Sequence, residues 1–541
     1  MHGARLAGFL QCAAETGTGA GDMKKRVKRI LGWGLFTLGV MVLSGILLAD
    51  HLTPQATGEP SYSLPVQPDQ TLLDQELAPL LARNPGQSGV VMLVDGLDAF
   101  AARAISTRRA GRSIDLMYYI WQDDLTGHLL LRELWEAAER GVRVRMLLDD
   151  INTRGKDGAL LAMVEHPNID VRVYNPFRNR NGVRRLLEMV QRSWSINHRM
   201  HNKAWIADGR VAVVGGRNVG VEYFDAAPET NFRDLDVALF GPAVAEAGAI
   251  FDTFWNSDQV VPISALNRKP RERLDEVMAG IREETRSPQA RRFLERVDAS
   301  DNVNRYITRN LSPYWTDRIR VLSDPPDKRP GQDRSAWLIN DILEDLAEAR
   351  HKALLISPYF VPGSEGVVAL ANAVRRHDAH VGVITNSLVA NDVLAVHSGY
   401  SKYRERLLLA GVHLYETRAE VATDSSLFGS SGASLHTKAY VVDDRRGFVG
   451  SFNMDPRSIN LNTEMGVLFD DPGLAGALLD EYLLLSSPEW SYWVYLNGDG
   501  KLRWLDASVD PPVIETTEPG ASLLQRSISR ALGWLPIESQ L

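Results

Sequence analysis

His201-Asn-Lys-Ala-Trp-Ile-Ala-Asp208 and His436-Thr-Lys-Ala-Tyr-Val-Val-Asp443 share the pattern His-x-Lys-x4-Asp, and the similarity extends well beyond those eight residues. Gly215-Gly-Arg-Asn218 follows the first motif at the offset at which Gly450-Ser-Phe-Asn453 follows the second. Asp234-Leu-Asp-Val-Ala-Leu-Phe-Gly-Pro242 then matches Glu464-Met-Gly-Val-Leu-Phe-Asp-Asp-Pro472, after a five-residue insertion around Ala226 to Thr230 in the first copy. Upstream, the strand pattern Arg112–Ile120, the helical pattern Leu129–Arg140 and the strand Val142–Leu148 recur as Ala353–Phe360, Gly366–Arg376 and His380–Thr385. Strand, helix, strand at this spacing predicts a right-handed crossover and a largely parallel sheet covered on both faces. The expected fold is therefore α/β: two duplicated halves, each a mostly parallel or mixed sheet flanked by helices, with one active site where the halves meet.

In an extended segment, residues two apart share a face, so His201 and Lys203 project together, as do His436 and Lys438. An ammonium beside an imidazole suits a phosphate oxygen better than a metal cation, because both groups donate hydrogen bonds to negative charge. Asn218 and Asn453, each after a glycine-containing turn, add neutral donors. Such a set implies attack on a phosphodiester with no metal and no cofactor. One neutral imidazole is the nucleophile, and the other, protonated, serves the leaving group. Each imidazole needs an orienting carboxylate, for which the repeat nominates Asp234 and Glu464; Glu229 and Asp236 stand near Asp234 and compete with it. Asp208 and Asp443 have the opposite strand parity, so a turn or salt-bridge role and a substrate contact are both open.

The chain has 541 residues, 44% of them hydrophobic and 24% charged, which fits two globular units rather than a polytopic membrane protein. A net charge of −8 opposes a dedicated nucleic-acid binder, and a single cysteine, Cys12, excludes a disulfide framework. Lys24, Lys25, Arg26, Lys28 and Arg29 precede an uncharged run from Ile30 to Ala49, long enough for the roughly 30 Å core of a bilayer. That pattern predicts a single anchor in a bacterial inner membrane with a periplasmic body; a cleaved signal is the alternative. Residues 1–22 read as an extension ahead of a start at Met23, 23–50 as the anchor and 51–80 as a linker. The halves are expected at 81–262 and 316–495, joined by a solvated, charged helical connector at 263–315, with 496–541 as a tail packed on the body. Phe177 to Val190 mixes arginines with Leu186, Leu187, Met189 and Val190, as a lipid-docking helix or an ordinary basic surface helix would.

The twin motifs resemble the phospholipase D superfamily over roughly residues 85 to 541, and within it the bacterial cardiolipin synthases. The stretches that carry the likeness include Tyr118-Tyr-Ile-Trp-Gln-Asp-Asp124, Asn231-Phe-Arg-Asp-Leu-Asp236, Pro358-Tyr-Phe-Val-Pro362, His397-Ser-Gly-Tyr400 and Leu535-Pro-Ile-Glu-Ser-Gln-Leu541. They look like the subgroup that takes phosphatidylethanolamine as donor and phosphatidylglycerol as acceptor. The resemblance implies metal-independent ping-pong phosphatidyl transfer on membrane lipids, with His201 as nucleophile and His436 as acid and base. A phospholipid hydrolase and a metal-independent nuclease are the enzymatic alternatives. A non-catalytic lipid-binding scaffold would need a dead site, whereas both His and both Lys are present.

Overall fold

The computed structural model describes residues 58–541 apart from 153–156, 178–187, 189–191, 193–196, 229, 267–273, 308–310, 420–431, 536–537 and 541, with scattered positions between 28 and 44. Most of the expected anchor and of the basic stretch 177–190, and Glu229, lie outside the described residues. Among the described residues no helix is long and apolar enough to cross a membrane.

Two large sheets carry the repeat. In the first, the order is Tyr314–Thr316, Ser88–Leu93, Asp236–Phe240, Val211–Gly215, Ala204–Ala207, Ser113–Tyr118, Arg143–Asp149, Ile169–Tyr174, Val260–Pro262. In the second it is Ile319–Ser323, Met465–Asp470, Arg446–Gly450, Ala439–Val442, Lys352–Ile356, His380–Asn386, His413–Thr417, Ser491–Leu496, Leu502–Asp506, Val513–Glu515. Starting from Ser88–Leu93 and from Ile319–Ser323, eight strands follow in equivalent order in each sheet.

The sheets are mixed rather than largely parallel. Only Ser113–Tyr118, Arg143–Asp149 and Ile169–Tyr174, and their counterparts Lys352–Ile356, His380–Asn386 and His413–Thr417, pair in parallel. Helices Leu125–Glu139 and Gly363–His377 make the first crossover in each set. The motif strands and those after them turn back through tight connections, which force antiparallel pairing. Their apolar runs, such as Val211-Ala-Val-Val-Gly215, are buried throughout, as a sheet covered on both faces requires.

Helices Pro242–Trp255 and Pro472–Leu485 begin with proline in the first turn, where its missing N–H loses nothing. They help bury one apolar core shared by both halves, in which Val214, Val237 and Phe251 join Ile356, Val449, Val467 and Leu478. The connector is not a solvated spacer. Its helices Leu274–Glu284 and Pro288–Asp298 bury Met278, Ile281, Phe293 and Val297 on the first half, where Phe293 meets Phe100 edge to face at 5.0 Å. The abundance of charge hides an apolar stripe at helical spacing.

Candidate active site

Each motif histidine sits in the extended lead-in to a short strand, Ala204–Ala207 or Ala439–Val442, and the backbone before it is pinned by the opposite half. Gly432–Leu435 pairs in parallel with Thr230–Arg233, and the His436 N–H donates to the Arg233 carbonyl at 2.8 Å. Met200 bridges Thr463 in the same sense, and the His201 N–H donates to the Thr463 carbonyl at 2.9 Å. Residues 233 and 463 immediately precede the two acids, so the pairing delivers each acid to the other half's imidazole. His201 Nδ1 lies 2.7 Å from Glu464 Oε2, and His436 Nδ1 lies 2.5 Å from Asp234 Oδ2. Among the described residues neither Nε2 has a hydrogen-bond partner, which leaves that nitrogen of each ring open to a ligand. Asp236, the competitor of Asp234, is spent elsewhere: it pairs with buried Arg103 at 2.9 Å.

Both lysines belong to the same cluster. Lys203 Nζ donates to the His201 carbonyl at 2.6 Å, and Lys438 Nζ reaches the His436 carbonyl and lies 2.9 Å from its Nδ1. Lys203 and Lys438 are each 1% exposed. Burial lowers the first to about 7 and the second to about 8, against the pull of Glu464 and Asp234. An incoming phosphate diester would restore the charge on both, because its oxygens favour the ammonium form.

The two imidazoles differ. Burial, then Lys203, Lys438 and the charge on His436, hold His201 well below its ordinary value, so it is neutral. Burial and Lys438 also lower His436, but there Asp234 pulls back toward the protonated form. Burial alone would raise Asp234; Lys438 and His436 outweigh it and leave the carboxyl below its usual value. Glu464 is raised by burial despite Lys203 and the hydroxyls of Ser451 and Ser458, which donate to it at 2.5 and 2.8 Å. Both rings are thus lowered, His201 the further.

Asn218 and Asn453 occupy equivalent positions with different surroundings. Asn218 Oδ1 accepts from the Ile120 N–H at 3.2 Å and its Nδ2 donates to the Tyr223 hydroxyl at 3.0 Å, so its amide is engaged in structure. Asn453 is 4% exposed and its Oδ1, an acceptor, has no partner among the described residues. Asp208 and Asp443 are not brought to the cluster. Both follow the motif strand at positive φ, 55° and 52°, where Asp is one of the few non-glycine residues tolerated. Asp208 accepts from the N–H groups of Gly111, Arg112 and Ser113, and Asp443 from those of Arg350, His351 and Lys352. They fasten the start of the neighbouring strand.

Several groups around the site carry no signal in the motifs. Tyr119 stands edge-on to His201 at 5.0 Å, while Tyr223 and Phe232 flank His436 at 5.3 and 5.2 Å. Asp149, at the end of its parallel strand, accepts from the Met200 N–H at 2.9 Å. Asn386, at the equivalent strand end, donates to the Leu435 carbonyl at 3.0 Å. Each therefore holds the residue just before a motif histidine. Among the described residues no group of three or more His, Cys, Asp or Glu is placed to hold a metal ion.

The family described as "Cardiolipin synthase, PLD-like domain" matches residues 105–255 and 342–483, one stretch in each half. Cardiolipin synthase C of Escherichia coli (strain K12) is 38% identical over 472 residues, covering 86% of this chain and 99% of that protein. A cardiolipin synthase of Staphylococcus aureus (strain Mu50) is 27% identical over 395 residues, 72% of this chain and 65% of that one. Among solved structures, the phosphatidylserine synthase of Haemophilus influenzae Rd KW20 superposes with a TM-score of 0.54 at 14% identity, covering 86% of this chain and all of that one, a likeness of fold. With the family matching on both sides of the shared site and the E. coli relative aligned almost end to end, the chain belongs to the cardiolipin synthase-like family of the phospholipase D superfamily.

Proposed function

We propose that the protein is a phosphatidyltransferase that makes cardiolipin from phosphatidylglycerol and a second phospholipid, phosphatidylethanolamine or phosphatidylglycerol, through a phosphohistidine on His201. The carrying observation is the crossed pair of imidazole–carboxylate contacts, which leaves two unlike Nε2 atoms beside two buried lysines. His201 Nε2 attacks the donor phosphorus, and the bond from phosphorus to the headgroup oxygen breaks. His436 gives that oxygen its proton. The primary hydroxyl of phosphatidylglycerol then returns a proton to His436 and attacks phosphorus, and the phosphorus–nitrogen bond breaks to regenerate His201. Lys203, Lys438 and, through its Nδ2, Asn453 stabilise the charge that gathers on the non-bridging oxygens. Water in place of the alcohol would release phosphatidic acid, the hydrolase reading.

Purified protein with labelled phosphatidylethanolamine and phosphatidylglycerol should yield labelled cardiolipin and an acid-labile, base-stable phosphoenzyme that is lost in His201→Ala. Phosphatidic acid as the only product would replace transfer by hydrolysis, and a label retained in His201→Ala would overturn the assignment of the nucleophile. The reading extends to place. The basic flank and apolar run at residues 24–49 support an inner-membrane anchor with a periplasmic body. A reporter fused after Leu541 that is active only in the cytoplasm would overturn that sidedness.

A further inference from the structure

The segment beyond the second sheet ends in an amphipathic helix, Leu523–Gly533, which is built onto the body rather than left loose. Ser522 and Gln525 form a capping box at its start. Ahead of it, Glu518 accepts from the buried guanidinium of Arg404 at 2.6 Å; Arg404 also binds Glu416 at 2.8 Å. Behind it, Glu538 is bound by the hydroxyl of Tyr403 and lies 3.3 Å from Lys402 Nζ. The helix rests on Leu394–Ser401, with Ser529 buried and Gly533 so close to Ser398 that a Cβ there would lie 3.2 Å from its hydroxyl.

The other side of this helix is apolar and faces solvent. Leu523 is 78% exposed, Leu524 69% and Trp534 89%, with Ile528 and Leu535 also open. From Pro519 to Ile537 the sequence has Arg526 and Arg530 and no carboxylate, in a chain whose net charge is −8.

Contacts at both ends of the segment lead toward the histidines. Gly520 adjoins Val389 in the loop after Asn386, whose side chain holds the residue before His436. At the other end Gln540 meets Asn197, which is gripped by Arg457, one of the charges that depress His201. The segment that carries the exposed leucines and tryptophan is thus tied at each end to residues that touch the surroundings of the two histidines.

We propose that this face, centred on Leu523, Leu524 and Trp534, docks on the surface of an anionic lipid bilayer. Apolar side chains that enter the acyl boundary, a tryptophan at headgroup level and arginines without competing acids are what an interfacial helix requires. The inference rests on the lipid-transfer reading above and adds the surface by which lipid is presented.

The test uses the full chain in phosphatidylglycerol-containing vesicles, in a Cys12→Ser background, with a fluorophore on Leu524→Cys or on Ala347→Cys. The latter position is exposed at the end of the second sheet away from the site. Lipid carrying a nitroxide in its acyl chain should quench the label at 524 at least twofold more than the label at 347. The double variant Leu523→Glu, Trp534→Glu should transfer about tenfold more slowly on vesicles and at an unchanged rate on a monomeric short-chain phospholipid. Equal quenching at both positions, equal loss of rate on both substrates, or burial of the label at 524 by self-association without lipid would each overturn the docking face. Selective quenching in a wild-type protein that turns over no lipid would retire the catalytic reading and leave the docking face standing.

Discussion

His436 Nδ1 lies 2.5 Å from Oδ2 of Asp234, a carboxylate carried by the other half of the chain, and His201 stands in the same relation to Glu464 at 2.7 Å. The crossing means that neither half holds a complete imidazole–carboxylate pair. Duplication supplied two copies of every part, and the parallel pairing of Gly432–Leu435 with Thr230–Arg233 exchanges them. A site built this way cannot survive separation of the halves, although each has its own sheet.

The first expectation follows directly. Asp234→Asn and Glu464→Gln keep the shape of the side chain and remove the charge that fixes the tautomer of the opposite ring. Loss of such an orienting carboxylate slows turnover by about 10² to 10⁴-fold. Asp234 also raises His436, so Asp234→Asn should move the alkaline limb of the kcat profile to lower pH, whereas Glu464→Gln should not. Steady-state rates across pH, with circular dichroism as a check on folding, separate the two. An alkaline limb left in place by Asp234→Asn would detach that carboxylate from His436.

Much of this site was legible in the spacing of the motifs, since period-two geometry alone puts His201 beside Lys203 and His436 beside Lys438. The repeat also named Asp234 and Glu464. It did not reveal that they cross, because that depends on which backbone segments pair between halves, at separations of about two hundred residues or more. Nor did offset equivalence distinguish Asn218 from Asn453. The difference comes from Tyr223, which lies between Asn218 and the first-half insertion and takes up one amide only. The connector was misread because Met278, Ile281, Phe293 and Val297 are diluted among charges, and only packing on the first half shows which face they share.

The lysines make the pH dependence specific. kcat/KM reports the free enzyme, in which Lys203 titrates at about 7 and Lys438 at about 8. Both must be charged to bind a diester, so kcat/KM, already declining where the lowered His436 gives up its proton, should fall more steeply as pH rises through 7 to 8. The acid limb should lie well below 6.5, where His201 at last takes up a proton. Saturating lipid should remove the lysine part of this fall from kcat, because bound phosphate favours the ammonium form, and leave the alkaline limb set by His436. Lys203→Met should lower kcat/KM by about 10² to 10³-fold, as expected for removal of a preorganised donor. An alkaline limb near 10 would show that burial does not depress these lysines.

Asp208 and Asp443 should report on stability rather than chemistry. Each accepts three backbone N–H groups from the neighbouring strand, and hydrogen bonds to a charged acceptor contribute about 1.5–3 kcal/mol apiece in favourable cases. Asp208→Ala should cost about 2–4 kcal/mol in denaturant unfolding, and Asp208→Asn less, since Asn tolerates positive φ and keeps one acceptor. Burial alone would raise Asp443, but the N–H groups of Lys352, Arg350 and His351 prevail and depress it. Its contribution is therefore complete above its unfolded value near 3.8 and is lost as pH falls through the lower folded value. The folded fraction of each variant should turn over at close to the wild-type rate; a hundredfold fall in kcat at full folding would move these carboxylates into the reaction.

Gly216 and Ser451 hold matching places and serve the two acids in opposite ways. A Cβ on Gly216 would lie 2.2 Å from Asp234 Oδ1, so the first half needs glycine there for the shorter carboxylate to reach His436. In the second half the Ser451 hydroxyl fills the corresponding space and donates to Glu464 at 2.5 Å. Gly216→Ala should displace Asp234 and reduce kcat by one to two orders of magnitude, the scale on which an orienting partner matters, with little change in KM. Ser451→Ala leaves a raised Glu464 with one hydroxyl donor fewer and should push that carboxyl higher still, weakening its hold on the His201 ring. In the proposed mechanism His436, held by Asp234, protonates the leaving group, and on that reading Gly216→Ala should be partly rescued by a donor with an activated leaving group such as p-nitrophenolate. Ser451→Ala, which acts on the nucleophile, should not be. Equal rescue of both would erase the division of labour between the two imidazoles.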